Sequence, residues 1–319
     1  MSKLYGLIAS FVIAAFATTA HAWEPTSPVT VTITAPAGSL HDRTFKTILP
    51  ELEKQTGVEF IIDYKPGAAS TKGTKHFLAL EPTGENIFLT ASLSLVLSDI
   101  SHPQIATWDY LTDFQYTSGV AQSTTTVTSS KFKTMEQLIN AIKSGETILV
   151  ATTYPNSEAL VRLLVAEVGG DIGNVKFVKY KNPSAALTDV VGKTADVFVS
   201  GISPAVPLYK AGKVNFLAVS SAERLEYLPD VPTLNEYVPG LVMNVDMGIN
   251  LLKGAPEGAA EYWEKQIAIA VQSESAKKAR ADNFLDLDPA FIGSKGQVKH
   301  YTQNRETWAQ TYREMFKKK

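Results

Sequence analysis

The chain of 319 residues contains no cysteine. That absence excludes disulfide staples, thiol nucleophiles and zinc-thiolate sites together. Nor does charge of one sign dominate: 30 basic residues face 32 acidic ones, giving a net charge of -2. So neutral a balance supplies no field for gripping nucleic acid or an anionic membrane surface. Charged residues make up 19% of the chain, below the roughly 25% of an average protein. Apolar residues reach 45%, and glycine and proline are near average, so disorder and low complexity are excluded. Beyond the N-terminus no apolar run approaches the ~20 residues a membrane span needs. What remains is enough chain for two domains of ordinary size, each with its own core.

Lys3 is the only charge among the first twenty residues. An apolar stretch runs from Leu4 to Ala17, and Ala20-His21-Ala22 precedes Trp23-Glu24-Pro25. A positive start, a short apolar run and small residues at the -3 and -1 positions spell a secretory signal peptide over residues 1–22, cut after Ala22. A membrane anchor is the alternative, but the run is short of the ~20 residues required. With no cysteine after the cut, no lipid can be attached there, and the mature protein is expected free in the periplasm as a monomer. Removing Lys3 leaves 29 basic against 32 acidic residues, a mature net charge of -3.

Along the mature chain, Val29–Thr34 alternates β-branched residues and reads as a strand. A helix follows from about Leu40 to Thr56, with Phe45, Ile48, Leu49 and Leu52 on its apolar face and Pro50 as an expected kink. Val58–Asp63 is the next strand, then a helix through Phe77–Leu80 and a strand over Asn86–Thr90. The pattern restarts with Met135–Ile142 helical, Thr147–Thr152 extended, Ser157–Val168 helical and Val175–Tyr180 extended. It continues with a helix over Ala185–Val191 and strands at Asp196–Ser200 and Asn215–Ser220. Strands alternating with helices predict parallel sheets with crossover helices, in two α/β lobes. A last helix from Gly296 to Phe316 puts Val298, Tyr301, Trp308, Tyr312 and Met315 on one face, a core stripe. The Lys317-Lys318-Lys319 tail reads as a solvated end.

Catalytic motifs fail on inspection. Gly201-Ile202-Ser203-Pro204-Ala205 approximates the nucleophile elbow of a serine hydrolase and follows a strand, with His300 downstream. The residue after the nucleophile must donate its N–H to the oxyanion, and Pro204 has none. An exported serine hydrolase therefore stays a remote reading. Gly192-Lys193-Thr194 joins helix to strand, the reverse of a phosphate loop, and is a turn. His41, His76, His102 and His300 lack metal-ligand spacing, and Asp282, Asp286 and Asp288 lack the glycine of a calcium loop. No metal or other cofactor is implied.

An exported α/β protein without a catalytic set is more naturally a binder. Ligands of open α/β sheets sit beyond the carboxyl ends of strands. Small polar residues cluster at such ends: Gly38, Ser39 and Leu40; Ser92 and Ser94; Thr152, Tyr154, Asn156 and Ser157; and Ser200 and Gly201. Helix N-termini there offer unpaired N–H groups and partial positive charge, which suit carboxylate or phosphate. Against this stands simple helix capping, with Ser157 as cap and Glu158 in the first turn.

Tyr180-Lys-Asn-Pro-Ser-Ala-Ala-Leu-Thr-Asp-Val-Val-Gly192, Ala195-Asp196, Ala205-Val-Pro207 and Ala211-Gly-Lys-Val214 form a familiar series. Leu217–Arg224 and Leu228-Pro-Asp-Val-Pro-Thr233 continue it, and Lys65-Pro-Gly-Ala68 with Gly73 fits an N-R-P-G-A-G-G-x-x-G stretch. In these stretches the chain resembles the solute-binding proteins of tripartite tricarboxylate transporters, the Bug family, over nearly its whole mature length. The resemblance implies a two-lobed periplasmic-binding-protein (Venus-flytrap) fold, each lobe a mostly parallel sheet flanked by helices. It implies organic-acid ligands held by loop amides, hydroxyls and bridging waters, and delivery to a membrane permease.

The resemblance also marks departures. In the family's first binding loop, P-F-x-x-G-G-x-x-D, Gly38, Leu40 and Asp42 match, but Ser39 replaces the second glycine. Ser157 matches the serine that begins the second lobe's binding helix, with Tyr154, Pro155 and Asn156 where glycines are usual. The family's later Asp falls on Ser200, Ala69 and Ser70 replace glycines, and Lys72 replaces an apolar residue. Losing the Asp removes a partner for a ligand amine, so the expected ligand is a carboxylate without a free amino group, a dicarboxylate or aromatic acid. Lys72 is either a partner for a second carboxylate or a solvated lysine. The lobes are expected at 23–124 plus 243–319 and at 125–242, with crossings near Ser123–Thr126 and Gly240–Asn244. A ligand-loaded partner of a membrane sensor kinase is the alternative role, using the same residues.

Overall fold

The computed structural model describes residues 23–316 except 69, 102, 103 and 110. Residues 1–22, Ala69, His102 and the lysine tail therefore lie outside the described residues. β1 (Val29–Ile33) turns Val29, Val31 and Ile33 toward Phe45, Ile48 and Leu52 of α1 (Leu40–Thr56). Ser39 caps α1, its Oγ accepting the Asp42 N–H at 3.3 Å, and Gly57 ends it at φ 69°, a left-handed turn that glycine adopts freely. Pro50 lies within the helix on its exposed side. β2 (Phe60–Tyr64), α2 (Thr71–Leu78) and β3 (Asn86–Ala91) complete a parallel triplet, with β1 in the middle. α3 (Ser92–Ser101) begins directly after the last residue of β3, with no intervening loop.

A second parallel triplet follows: β5 (Ile148–Thr152) lies between β6 (Val175–Lys179) and β7 (Val197–Gly201). Its helices are α4 (Met135–Lys143), α5 (Pro155–Glu167), α6 (Pro183–Val191) and α7 (Val206–Lys210), ahead of β8 (Asn215–Val219). The triplets are joined by two strands absent from the pattern reading, β4 (Phe114–Ser129) and β9 (Asn244–Leu252). The strand order is β2-β1-β3-β9-β4-β7-β5-β6, with β8 also on β4. β4 changes partner part-way: Phe114 to Thr124 pair antiparallel with β9, and Thr125 onward with β7 and β8. Each half is thus a parallel triplet finished by antiparallel strands, a two-lobed α/β arrangement.

The chain closes with α8 (Ala259–Gln272), α9 (Glu274–Asp282) and α10 (Ser294–Phe316). Tyr301, Trp308 and Tyr312 of α10 are buried, as the stripe predicts, but Val298 is 36% exposed and sits off that face. The side chain of Met315 lies outside the described residues. No described helix is long and apolar enough to cross a membrane.

Gly73, in the first turn of α2, stands where no side chain fits. A Cβ there would fall 2.6 Å from the Lys65 carbonyl oxygen and 2.9 Å from Thr34 Cγ2. The first of these is backbone and cannot rotate away. Gly73→Ala is expected to destabilise the fold by about 1–3 kcal/mol, read as a lower urea midpoint. An unchanged midpoint would show that α2 can lift from the sheet edge at no cost.

Candidate functional site

The polar residues singled out in the sequence stand at the carboxyl ends of β1, β3, β5 and β7, where those strands meet helices. After β1, Gly38 takes φ 76° and its N–H donates to Asp42 Oδ2 at 2.7 Å, while Arg43 donates to its carbonyl. Asp42 is 1% exposed and also accepts from Lys46 Nζ at 2.9 Å and Tyr64 Oη at 2.7 Å. Burial would raise the Asp42 pKa, but the Gly38 N–H, Lys46 and Tyr64 outweigh it and hold the carboxyl below its ordinary value. Asp42 therefore stiffens the loop from within, its oxygens already engaged. Leu40 packs toward Ala91, Ala121, Met247 and Leu285.

His41, next in that loop, has a buried Nε2 without a hydrogen-bond partner, and burial pulls its pKa down to about 4. Lys72 is exposed, its methylenes alongside Gly67, and no described contact joins it to the other residues.

After β3, Ser92 is 1% exposed and accepts from Asn304 Nδ2 of α10 at 2.6 Å. Ser94 follows, half-buried, in the first turn of α3. The same Asn304 amide donates to Asp246 Oδ2 at 2.7 Å, and Gln122 Nε2 donates to Asp246 Oδ1 at 2.6 Å. Gln122 and Asp246 are cross-strand partners on β4 and β9. His300 completes the group, with Nδ1 3.4 Å from Asp246 and Nε2 3.8 Å from Asp288. Gln122, Asp246, Asn304 and His300 were not legible as a set, because they come from three distant segments and only His300 and Asn304, four apart on α10, share a spacing.

In the second half, Thr152 is buried at the end of β5, and the neighbouring Thr153 hydroxyl lies 3.0 Å from Ser200 Oγ at the end of β7. Gly201 ends β7 opposite Thr125, where an added Cβ would meet Ser123 Oγ at 3.7 Å. The capping reading of Ser157 does not hold. Pro155 occupies the first helical position of α5, so Tyr154 is the N-cap, makes no side-chain cap bond and is 57% exposed. Ser157 instead lies inside the first turn, 1% exposed.

Asn156 Nδ2 reaches Met243 Sδ at 3.9 Å, and Thr44 Oγ1 of α1 donates to Met247 Sδ at 3.2 Å. The polar ends of both halves thus border one short stretch, Met243 to Met247. Ser220, unmarked in the sequence, knots the crossing: its Oγ donates to the Met243 carbonyl at 2.6 Å and accepts the Thr125 N–H at 2.9 Å.

The catalytic alternatives find no support in the geometry. Ser203 Oγ donates to the Asn283 carbonyl at 2.8 Å, while His300 is held between Asp246 and Asp288. Asp282 pairs with Lys278, Asp286 with Tyr227, and Asp288 caps a short helical turn, so the three acids serve separate ends. Among the described residues no three His, Asp or Glu side chains are placed to hold a metal. A cavity of about 270 Å³ between α3 and α10, lined by Val96, Ile100, Arg305, Ala309 and Arg313, shares no residue with the strand-end group.

Residues 44–311 match the model of the tripartite tricarboxylate transporter family receptor. The chain belongs to that family. Its members are transporter receptors and not enzymes. A UPF0065 protein of Bordetella bronchiseptica is 27% identical over 275 residues, covering 84% of this chain and 78% of the relative. Among solved structures, the periplasmic binding protein BugD superposes with a TM-score of 0.75 at 20% identity, over 91% of this chain and 98% of that one. MatC of Rhodopseudomonas palustris, solved with bound malate, gives 0.74 at 20% identity, over 90% and 99%. At such identity the two structures establish the fold of this family receptor and leave its ligand open.

Proposed function

We propose that the protein is exported through a signal peptide cut after Ala22 and works in the periplasm as a monomeric receptor for a small organic acid. Its lobes, 23–124 with 243–319 and 125–242, close on the ligand by hinge motion about the β4 and β9 crossings. The acid is a dicarboxylate or aromatic acid without a free amino group, and it is handed to the membrane permease of a tripartite tricarboxylate-type transporter. The observation that carries this reading is that both sets of polar strand ends border Met243 to Met247. Helix starts at those ends supply N–H donors suited to carboxylate oxygens. Ser200 stands where the family's amine-pairing Asp is expected, and its hydroxyl is taken up with Thr153. Malate in the MatC neighbour is a ligand of the proposed class.

The test is a thermal-shift screen of the chain from Trp23, refolded from denaturant to strip any bound ligand. Malate, succinate, citrate and aromatic mono- and dicarboxylates are compared with aspartate. A cognate acid at 100 times its Kd adds about 2.7 kcal/mol, a rise of several degrees for a protein of this size. Tighter binding of aspartate than of succinate would overturn the amine-free assignment. No response to any carboxylate would overturn the substrate class.

A further inference from the structure

The segment between α9 and α10 reaches from one half of the molecule into the other. The Asn283 carbonyl accepts from Ser203 Oγ at 2.8 Å. Phe284 meets Tyr227 edge-on, with ring centroids 5.7 Å apart, and packs against the core of the second half under Lys210. Phe284 does so at φ 55°, a left-handed conformation in which a bulky residue is strained. Leu285 points the other way, 2% exposed among Ala91, Ala121 and Met247. The Asp286 main chain pairs in both directions with Gln122 of β4, at 2.7 and 2.9 Å.

The Asp286 carboxylate interacts with two groups, one by a hydrogen bond and one by charge. Tyr227, from the second half, donates to Oδ2 at 3.1 Å. Arg280, on α9, is 8% exposed, and its Nη1 is buried without a hydrogen-bond partner. Asp286 acts on that guanidinium through charge alone, without a hydrogen bond. The Leu285 N–H bonds the Arg280 carbonyl at 2.9 Å, so the arginine and the Asp286 turn form one structural unit. A buried guanidinium nitrogen left without a hydrogen-bond acceptor is costly in a protein interior. Glu226, beside Tyr227, joins burial in pushing the Asp286 pKa up, so the second half both holds this carboxylate and strains it.

We infer that Asp286 is the moving contact of an interlobe latch: it binds Tyr227 while the lobes meet and turns to Arg280 when they part. The inference rests on the hinge-closing receptor reading. Each state satisfies one partner and frees the other, which gives the two states the differential contacts a conformational balance requires. The unsatisfied Arg280 biases the pair toward opening, and bound ligand must supply the difference. A receptor that has to release its cargo gains from such a bias.

The absence of cysteine makes the test clean. Cysteines at Lys75 and Lys213, both exposed and one in each half, take two spin labels with no background site. Distance distributions are read by pulsed electron resonance on the mature chain without ligand, then with malate at saturation. Tyr227→Phe is expected to shift the population ratio toward the parted, longer-distance state by at least about threefold, the worth of one hydrogen bond. Arg280→Met and, separately, Asp286→Asn are expected to shift it the opposite way. Asp286→Asn keeps an acceptor for Tyr227 and removes the charge that attracts Arg280, so it decides the question should Arg280→Met not fold. Shifts of one sign in all variants, or none, overturn the latch. If malate moves the distribution and the variants do not, the receptor reading stands without it. A distribution that neither malate nor any variant moves overturns the hinge-closing reading as well.

Discussion

Acidification from pH 6.5 to pH 4 is expected to remove about 3 kcal/mol of stability through His41 alone. The folded imidazole has its pKa drawn down to about 4 by burial, against 6.5 for the free side chain. Between those values the unfolded chain carries a proton on this residue and the folded chain does not. Unfolding therefore takes up a proton, and each step toward acid favours it. The contribution is fully present above pH 6.5 and is lost as pH falls toward 4. Asp42 and Glu158 act in the same direction at lower pH, since each has a folded pKa below its ordinary value. His41→Gln removes only the upper window. Urea midpoints at pH 7, 5.5 and 4.5 should fall more steeply for the natural chain than for the variant. Parallel curves would mean that the imidazole is solvated in the folded state.

Asp246→Ala is expected to cost about 3 kcal/mol, because it strips acceptors from buried donors without closing the space. Asp246 is 2% exposed and takes Gln122 Nε2 on one oxygen and Asn304 Nδ2 on the other. Gln122 in turn accepts the Asp288 N–H at 2.7 Å through Oε1, so the loss spreads into the segment before α10. Asp246→Asn keeps one acceptor and turns an N–H₂ toward a neighbouring donor, so it should cost less than alanine but remain destabilising. Denaturant midpoints with an unchanged m value give the measurement. If alanine is tolerated within 0.5 kcal/mol, the level of an ordinary surface change, the network is water-filled and carries no structural weight.

The fold was legible wherever neighbours in sequence are neighbours in space. α1 matches its expected bounds because a serine cap, an apolar stripe and a terminating glycine are all local signals. The parallel triplets followed from strand and helix alternation. β4 and β9 escaped because β4 is a run of small polar residues, buried by its neighbours and not by its own hydrophobicity. For the site, the strand ends could be listed but their company could not. Ser92 gave no hint of Asn304, which lies 212 residues away. Ser157 looked like a cap until Pro155 moved the helix start forward. Phe284 carries no sequence mark of its left-handed backbone, since that conformation is imposed by contacts on both sides of the segment.

The placement of β9 also bears on how the molecule assembles. β3 finds its antiparallel neighbour only in residues 247–251, after the whole second half has been synthesised. Until then the first triplet has an open edge at β3, the kind of edge that pairs with other chains. The second half, inserted between β4 and β9, closes its β5–β7 ladders from nearby residues and can form first. Folding of the first half is therefore slow by topology, since β3 closes on a strand more than 150 residues further along the chain. A nascent chain stalled before residue 244 would present that edge to whatever meets it, which makes the late arrival of one strand the point where aggregation and assisted folding compete.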